Sequence, residues 1–400
     1  MGNDNGGSKD SVVIVGGGIG GLATALVLSK SGHNVTVLEK AAQFVEIGAG
    51  LQLAPNATRV LTSLGLMDKI RDVGVFPNRL RLKTALTDED LTSLDLGEGF
   101  IQRYGAPYVV MHRNDLLRIL LEGCQAQPSV ELLPGKEIKS VANEGDGVVA
   151  ECADGSVYRG QVLIGADGLW STVRKKLSDD VPVCSGYVSY RGTVPTDKAT
   201  AHAPLDEVVA WIGPGLHYVQ YPLRSGNLYN QVAVFRSDQY LQGKEDWGNS
   251  DELEEKFSVT CEHIRKAMPL LGRDHRWPMY DREPIDRWTK GNFTLLGDAA
   301  HPMLQYLAQG ACQAIEDANA IGEALTRMPG NVNKALTMYE QARTLRTARV
   351  QRNARLWGDM WHIDGAGRLM RDELFSSRAL DDHSHIDWLY GKRDPLVMSD

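Results

Sequence analysis

Apolar residues run unbroken through "SVVIV" (11–15) and alternate with polar ones through "NVTVLEK" (34–40). Between these runs a glycine cluster opens into the apolar stretch "GLATALVLSK". The pattern predicts a strand, a glycine turn, a helix closing at Gly32, and a second strand ending at Glu39. "GQVLIGADGLWSTVRKKL" (160–177) predicts another buried strand running through a turn into a helix. "GNFTLLGDAAHPMLQYLAQGACQAIEDANAIGEAL" (291–325) predicts a third strand, a proline-containing loop and a helix. From Pro182 to Trp288 the runs "EVVAWIG", "HYVQYPL" and "NQVAVFRS" are short and alternating, which predicts an antiparallel sheet with one face covered. The expected fold class is therefore α/β: a parallel nucleotide-binding sheet assembled from separated pieces, with an antiparallel β-sheet domain inserted.

The expected boundaries are a disordered tail over 1–10, the nucleotide-binding unit over 11–181, the inserted sheet over 182–288, a return to the first unit over 289–330, and a helical region over 331–400. In the last region Arg343, Arg346, Arg349, Arg352 and Arg355 recur at every third position. At 3.6 residues per turn each step of three drifts by about 60°, so they wrap around the helix and form no single basic face. A solvated or salt-bridged helix is expected.

Composition narrows the class. A formal net charge of −8 argues against general affinity for nucleic acid. The five cysteines are scattered and contain no CxxC, so neither a disulfide framework nor a zinc site is indicated. No apolar run approaches the roughly 20 residues that span a bilayer, and "MGNDNGGSKD" is no signal peptide. A cytoplasmic enzyme is expected.

Gly16, Gly18 and Gly21 fit GxGxxG, with a strand before and a helix after. Such a turn lets the backbone approach a pyrophosphate at a helix N-terminus. Glu39, about 20 residues past the first glycine, is placed for a ribose hydroxyl, which points to FAD or NAD. Two further loops, at Asp167-Gly168 and Gly297-Asp298, end strands in the same way.

These three motifs in this order resemble the aromatic hydroxylase branch of the single-component flavoprotein monooxygenases. The resemblance implies the Rossmann-like (GR2-type) FAD-binding fold, with Glu39 and Asp298 at the FAD riboses and the Asp167 loop at the pyrophosphate. It implies Lys40 beside the adenine, where many members carry arginine, and Arg113 of "MHRNDL" near the phosphates. The backbone of Gly310 and Ala311 would face the carbonyl-bearing flavin ring. NADH as reductant (NADPH being the other candidate), dioxygen and a homodimer are implied likewise. "GYVSYRGTVP", "GPGLHYVQYPLRSG", "WPMYDREPI" and "WGDMWHIDGAGRLMRDELF" carry the resemblance on to the 3-hydroxybenzoate 6-hydroxylase subgroup, so 3-hydroxybenzoate converted to gentisate is the expected reaction. Salicylate hydroxylase-like members usually have proline where this chain has Gln305. A decarboxylating or other phenol hydroxylase, or a flavoprotein oxidase that inserts no oxygen, is the alternative.

Electrophilic ring hydroxylation favours a phenolate, and a phenol of pKa near 10 needs a base at neutral pH. On a strand His217, Val219 and Tyr221 share one face. A single histidine among ten is ordinarily structural, and it is the resemblance that singles out His217 as base, with Gln305 orienting the phenolic oxygen and Tyr221 donating to substrate. His301 is expected to support its loop. Trp357, Trp361 and Trp388 are expected to pack, and Asp281, Glu283 and Asp286 show no acid/base arrangement.

Overall fold

A computed structural model describes residues 11–45, 48–199, 204–242 and 250–397. The expected tail over 1–10 lies outside the described residues. Five strands form a parallel sheet in the order Phe293–Leu295, Val162–Gly165, Ser11–Val15, Asn34–Leu38, Val130–Leu133. Its central strands are apolar on both faces, as in parallel sheets that are covered on both, and the helices Ile19–Lys30 and Gly310–Arg327 pack against each other beside it.

The second sheet has seven strands, in the order Trp277–Asp281, Val183–Pro195, Leu228–Arg236, Leu216–Leu223, Glu207–Gly213, Arg79–Thr84, Asp90–Asp95. It departs from expectation in two ways. The last two strands come from before residue 182, and Glu207–Gly213 pairs in parallel with Arg79–Thr84. Both faces are also buried at its centre: every residue of Leu216–Leu223 is buried. Leu216 and Tyr218 join a core completed by the helices Asp251–Phe257 and Glu262–Ala267, while Val219 and Tyr221 face the main core. The alternation of this strand therefore marks hydrogen-bonded polar groups, not water. Gln220, for example, donates to the Tyr218 hydroxyl at 2.7 Å and lies 2.9 Å from His263 Nε2.

The 31-residue helix Val332–His362 carries the arginine series. Arg343 and Arg346 are buried, not solvated, and bond to Glu316 and Asp317 at 2.6–2.7 Å. Arg346 also donates to the Trp388 and Leu389 carbonyls, which fastens the C-terminal segment to the nucleotide-binding half. No helix among the described residues is long and apolar enough to cross a membrane.

Candidate active site

The strand Ser11–Val15 delivers the chain into Gly16, whose φ of +107° is left-handed backbone and whose N–H donates to Leu38 O at 2.8 Å. A Cβ on Gly16 would lie 2.3 Å from Ala166 O, and one on Gly21 would lie 2.0 Å from Gly16 O. Only glycine allows this closeness of turn, helix and neighbouring strand. Gly18 caps the helix Ile19–Lys30, whose first turn holds no acidic side chain, so its free amides and positive dipole end are open to a phosphate.

Glu39 lies at the adjacent strand end, where it accepts from the Gly17 and Ala41 N–H groups at 2.7 and 2.8 Å, one on each oxygen. Further lone pairs remain for ribose hydroxyls. Lys40 is exposed beyond it. The Asp167 carboxylate is turned inward. It accepts from Ser171 Oγ at 2.5 Å and from the Thr172 and Val173 N–H groups, so it shapes its own loop rather than pointing outward. Burial raises its pKa while those bonds oppose the rise.

Asp298 is exposed in the third motif, and its Oδ1 would lie 3.9 Å from a Cβ on Gly310. Gly310 and Ala311 begin the helix Gly310–Arg327, again with no acidic residue in the first turn. Arg113 starts the helix Arg113–Gln125, and Asp298 is the carboxylate that supports its charge against the depressing effect of burial. Two helix N-termini and an arginine thus accompany a glycine turn too tight for any Cβ, and this donor set fits a dianionic dinucleotide.

Behind Asp298, buried His301 Nε2 lies 2.6 Å from Asp317 Oδ2, which also accepts from Gly297 N–H at 3.0 Å. His301 therefore supports its loop, as expected.

The large sheet supplies the other wall. His217, Val219 and Tyr221 share one face of their strand, as period-two geometry requires. His217 is 1% exposed, with Tyr306 and Trp361 set edge-on to its ring at 5.5 and 5.1 Å between centroids. Burial pushes its pKa well below 6.5, with His362 and Arg191 adding to the effect, so its imidazole is neutral. Its Nδ1 lies 2.8 Å from His362 Nε2, and its Nε2 makes no hydrogen bond among the described residues.

Gln305 opens the short 3₁₀ turn Gln305–Leu307, and its Oε1 accepts from Arg191 Nη2 at 2.6 Å. Tyr221 is buried against Gly50 and Gln52. Burial raises its pKa, and nearby Arg191 opposes that rise. Arg191, Tyr221 and Gln305 thus form one polar group. A cavity of about 290 Å³ opens beside it, lined by Gly48, Ala49, Arg191, Thr193 and Trp277.

A family model described as an FAD binding domain matches residues 9–354. The chain belongs to the FAD-binding monooxygenase family. The flavoprotein is 39% identical over 381 residues to 3-hydroxybenzoate 6-hydroxylase of Polaromonas naphthalenivorans (strain CJ2), covering 95% of each chain. It is 36% identical to 3-amino-4-hydroxybenzoate 2-monooxygenase of Streptomyces cremeus, again over 95% of each. Klebsiella pneumoniae HpxO complexed with FAD and uric acid shares its fold, with a TM-score of 0.81 at 26% identity over 95% of each chain.

Sequence reasoning on this monooxygenase missed Arg191 and His362. Both lie in stretches that carry the resemblance, yet neither has a local signature. Arg191 pairs with Val232, which pairs with Val219, so it shares the face of His217 only through a middle strand. His362 arrives from the end of a long helix distant in sequence. Trp361 does pack, as expected, but against the candidate base.

Proposed function

We propose that this flavoprotein hydroxylates 3-hydroxybenzoate to 2,5-dihydroxybenzoate (gentisate), consuming NADH and dioxygen. The observation that carries the reading is the one-sided polar wall: the neutral, buried His217 on the same sheet face as Arg191 and Tyr221, with Gln305 bonded to that arginine. A phenol and a carboxylate on one small ring are the groups such a wall would take.

Arg191, a half-buried cation, receives the carboxylate, with Tyr221 donating a second bond. His217 Nε2 takes the phenolic proton, so the ring carries phenolate character. Gln305, its Oε1 turned to Arg191, keeps both amide N–H groups for donation and donates to the phenolate oxygen. Tyr306 and Trp361 exclude water around the base. Bound FAD would supply the two-electron chemistry by which hydride from NADH, one proton and dioxygen yield one oxygen atom on the ring and one molecule of water. Gly16, Gly18 and Gly21 would hold its pyrophosphate with Arg113; Glu39, Lys40 and Asp298 would serve its ribose and adenine side; Asp167 shapes the loop between. The backbone of Gly310 and Ala311 would stand at the flavin carbonyls. A homodimer, implied by the family resemblance, and a cytoplasmic location, expected from the scattered cysteines and the lack of a long apolar run, belong to the same reading.

The test is NADH consumption by purified holoenzyme across a panel of hydroxybenzoates, with product identified for each. Gentisate formed from 3-hydroxybenzoate in proportion to NADH used is expected. Rapid NADH use without hydroxylated product from any 3-hydroxybenzoate sample would overturn the substrate assignment.

A further inference from the structure

We propose that His362 is a positioning residue that acts through His217, the two imidazoles forming a path that carries the substrate's phenolic proton to an open pocket on the far side of the base. The inference rests on the reading above, in which His217 Nε2 receives that proton.

The geometry is that of a two-station path. His217 Nδ1 and His362 Nε2 are 2.8 Å apart, and the rings are 19° from coplanar. His362, in the last turn of Val332–His362, lines a pocket of about 340 Å³ together with Tyr187, Tyr306, Asp281, Glu283 and Asp359. His217 does not line that pocket. One imidazole therefore belongs to the buried wall, the other to the pocket, and a single hydrogen bond joins them.

A proton kept on His217 would create a cation in an apolar shell beside Arg191, which burial and charge both oppose. Passing it on removes that cost. The phenolic O–H bond breaks as an N–H bond forms at His217 Nε2. The proton on His217 Nδ1 moves to His362 Nε2, and the proton on His362 Nδ1 leaves to water in the pocket. One proton leaves the substrate and one enters solvent, and both rings end neutral in their alternative tautomers.

The surroundings of His362 suit transfer rather than storage. Tyr187 stacks on its ring at 4.5 Å, and Arg371 caps the same helix end by donating to the Met360 and Trp361 carbonyls. Burial and the Arg371 charge bring the His362 pKa down to about 3. Among the pocket carboxylates, Asp281 and Glu283 are tied to Arg355, while Asp359 is exposed.

The experiment mixes holoenzyme with 3-hydroxybenzoate in the absence of NADH. Phenolate absorbance and a pH-indicator dye are followed together in weak buffer. In His362→Asn, FAD content and 3-hydroxybenzoate affinity are expected to stay unchanged while phenolate formation and proton release slow by at least about tenfold. Added imidazole should restore the rate in His362→Ala but not in His217→Ala. Wild-type rates in both His362 variants, or a loss that imidazole cannot rescue, would overturn the relay and leave the proposed substrate standing. Absence of any phenolate signal in the wild-type holoenzyme would instead overturn the role of His217 on which the relay rests.

Discussion

Arg191 Nη2 donates to Gln305 Oε1 across 2.6 Å, tying the strand Val183–Pro195 to the loop after the third motif. The contact joins the seven-stranded sheet to the short 3₁₀ turn Gln305–Leu307 that precedes the helix Gly310–Arg327. It also orients the amide, because an oxygen turned to a guanidinium leaves the NH₂ end free to donate to a ligand.

Arg191→Met should therefore weaken substrate binding while leaving FAD in place. A charge-assisted bond is worth about 1.5–3 kcal/mol, so the dissociation constant for 3-hydroxybenzoate should rise about tenfold to a hundredfold. Titration of the flavin absorbance of the holoenzyme measures it. An unchanged constant would remove Arg191 from the site.

His217→Ala should lower coupled hydroxylation by about 10² or more, the size of a positioned base, with little effect on FAD content. The ratio of gentisate formed to NADH consumed is the readout. Equal product yield in the variant and the wild type would refute the assignment of the base.

Acid should destabilise the fold through the buried histidines. The His362 pKa falls from 6.5 to about 3 on folding, so the unfolded chain binds its proton first as pH drops. Stability from this group is full above about pH 6.5 and declines below it, by about 1.4 kcal/mol per pH unit, until the folded group also protonates. Melting temperatures measured between neutral pH and pH 4.5 should fall less steeply in His362→Asn than in the wild type. Parallel slopes would contradict the burial of a neutral imidazole.

The nucleotide-binding half was the more legible in sequence, and the reason is local. Gly16 and Gly21 announce a turn because no other residue fits, and a strand and helix flank them within one short stretch. Glu39 follows from its spacing after the first glycine, at the end of the next strand. The substrate wall is assembled otherwise. Arg191, His217 and His362 come from two strands and a helix end that meet only through sheet register and a long helix, and no spacing along the chain encodes that. The same limit explains the arginine series. Its wrapping around the helix was readable, but the partners that bury Arg343 and Arg346 lie on another helix.

Those partners give a stability prediction. Arg343→Leu would leave Asp317 and Glu316 short of a cation inside the protein, and breaking a buried pair costs about 3–5 kcal/mol. Because Asp317 also holds Gly297 and His301, the variant should lose FAD more readily as well as unfold earlier. Denaturant titration with flavin fluorescence reports both; unfolding at the wild-type midpoint would show that the cluster contributes nothing.

The central claim is that one atom of dioxygen ends on the aromatic ring. It is tested most directly by running the holoenzyme with NADH, 3-hydroxybenzoate and isotopically labelled dioxygen, then weighing the product. The account predicts gentisate carrying a single heavy oxygen atom. Gentisate without label, or labelled hydrogen peroxide as the sole oxygen product, would contradict it.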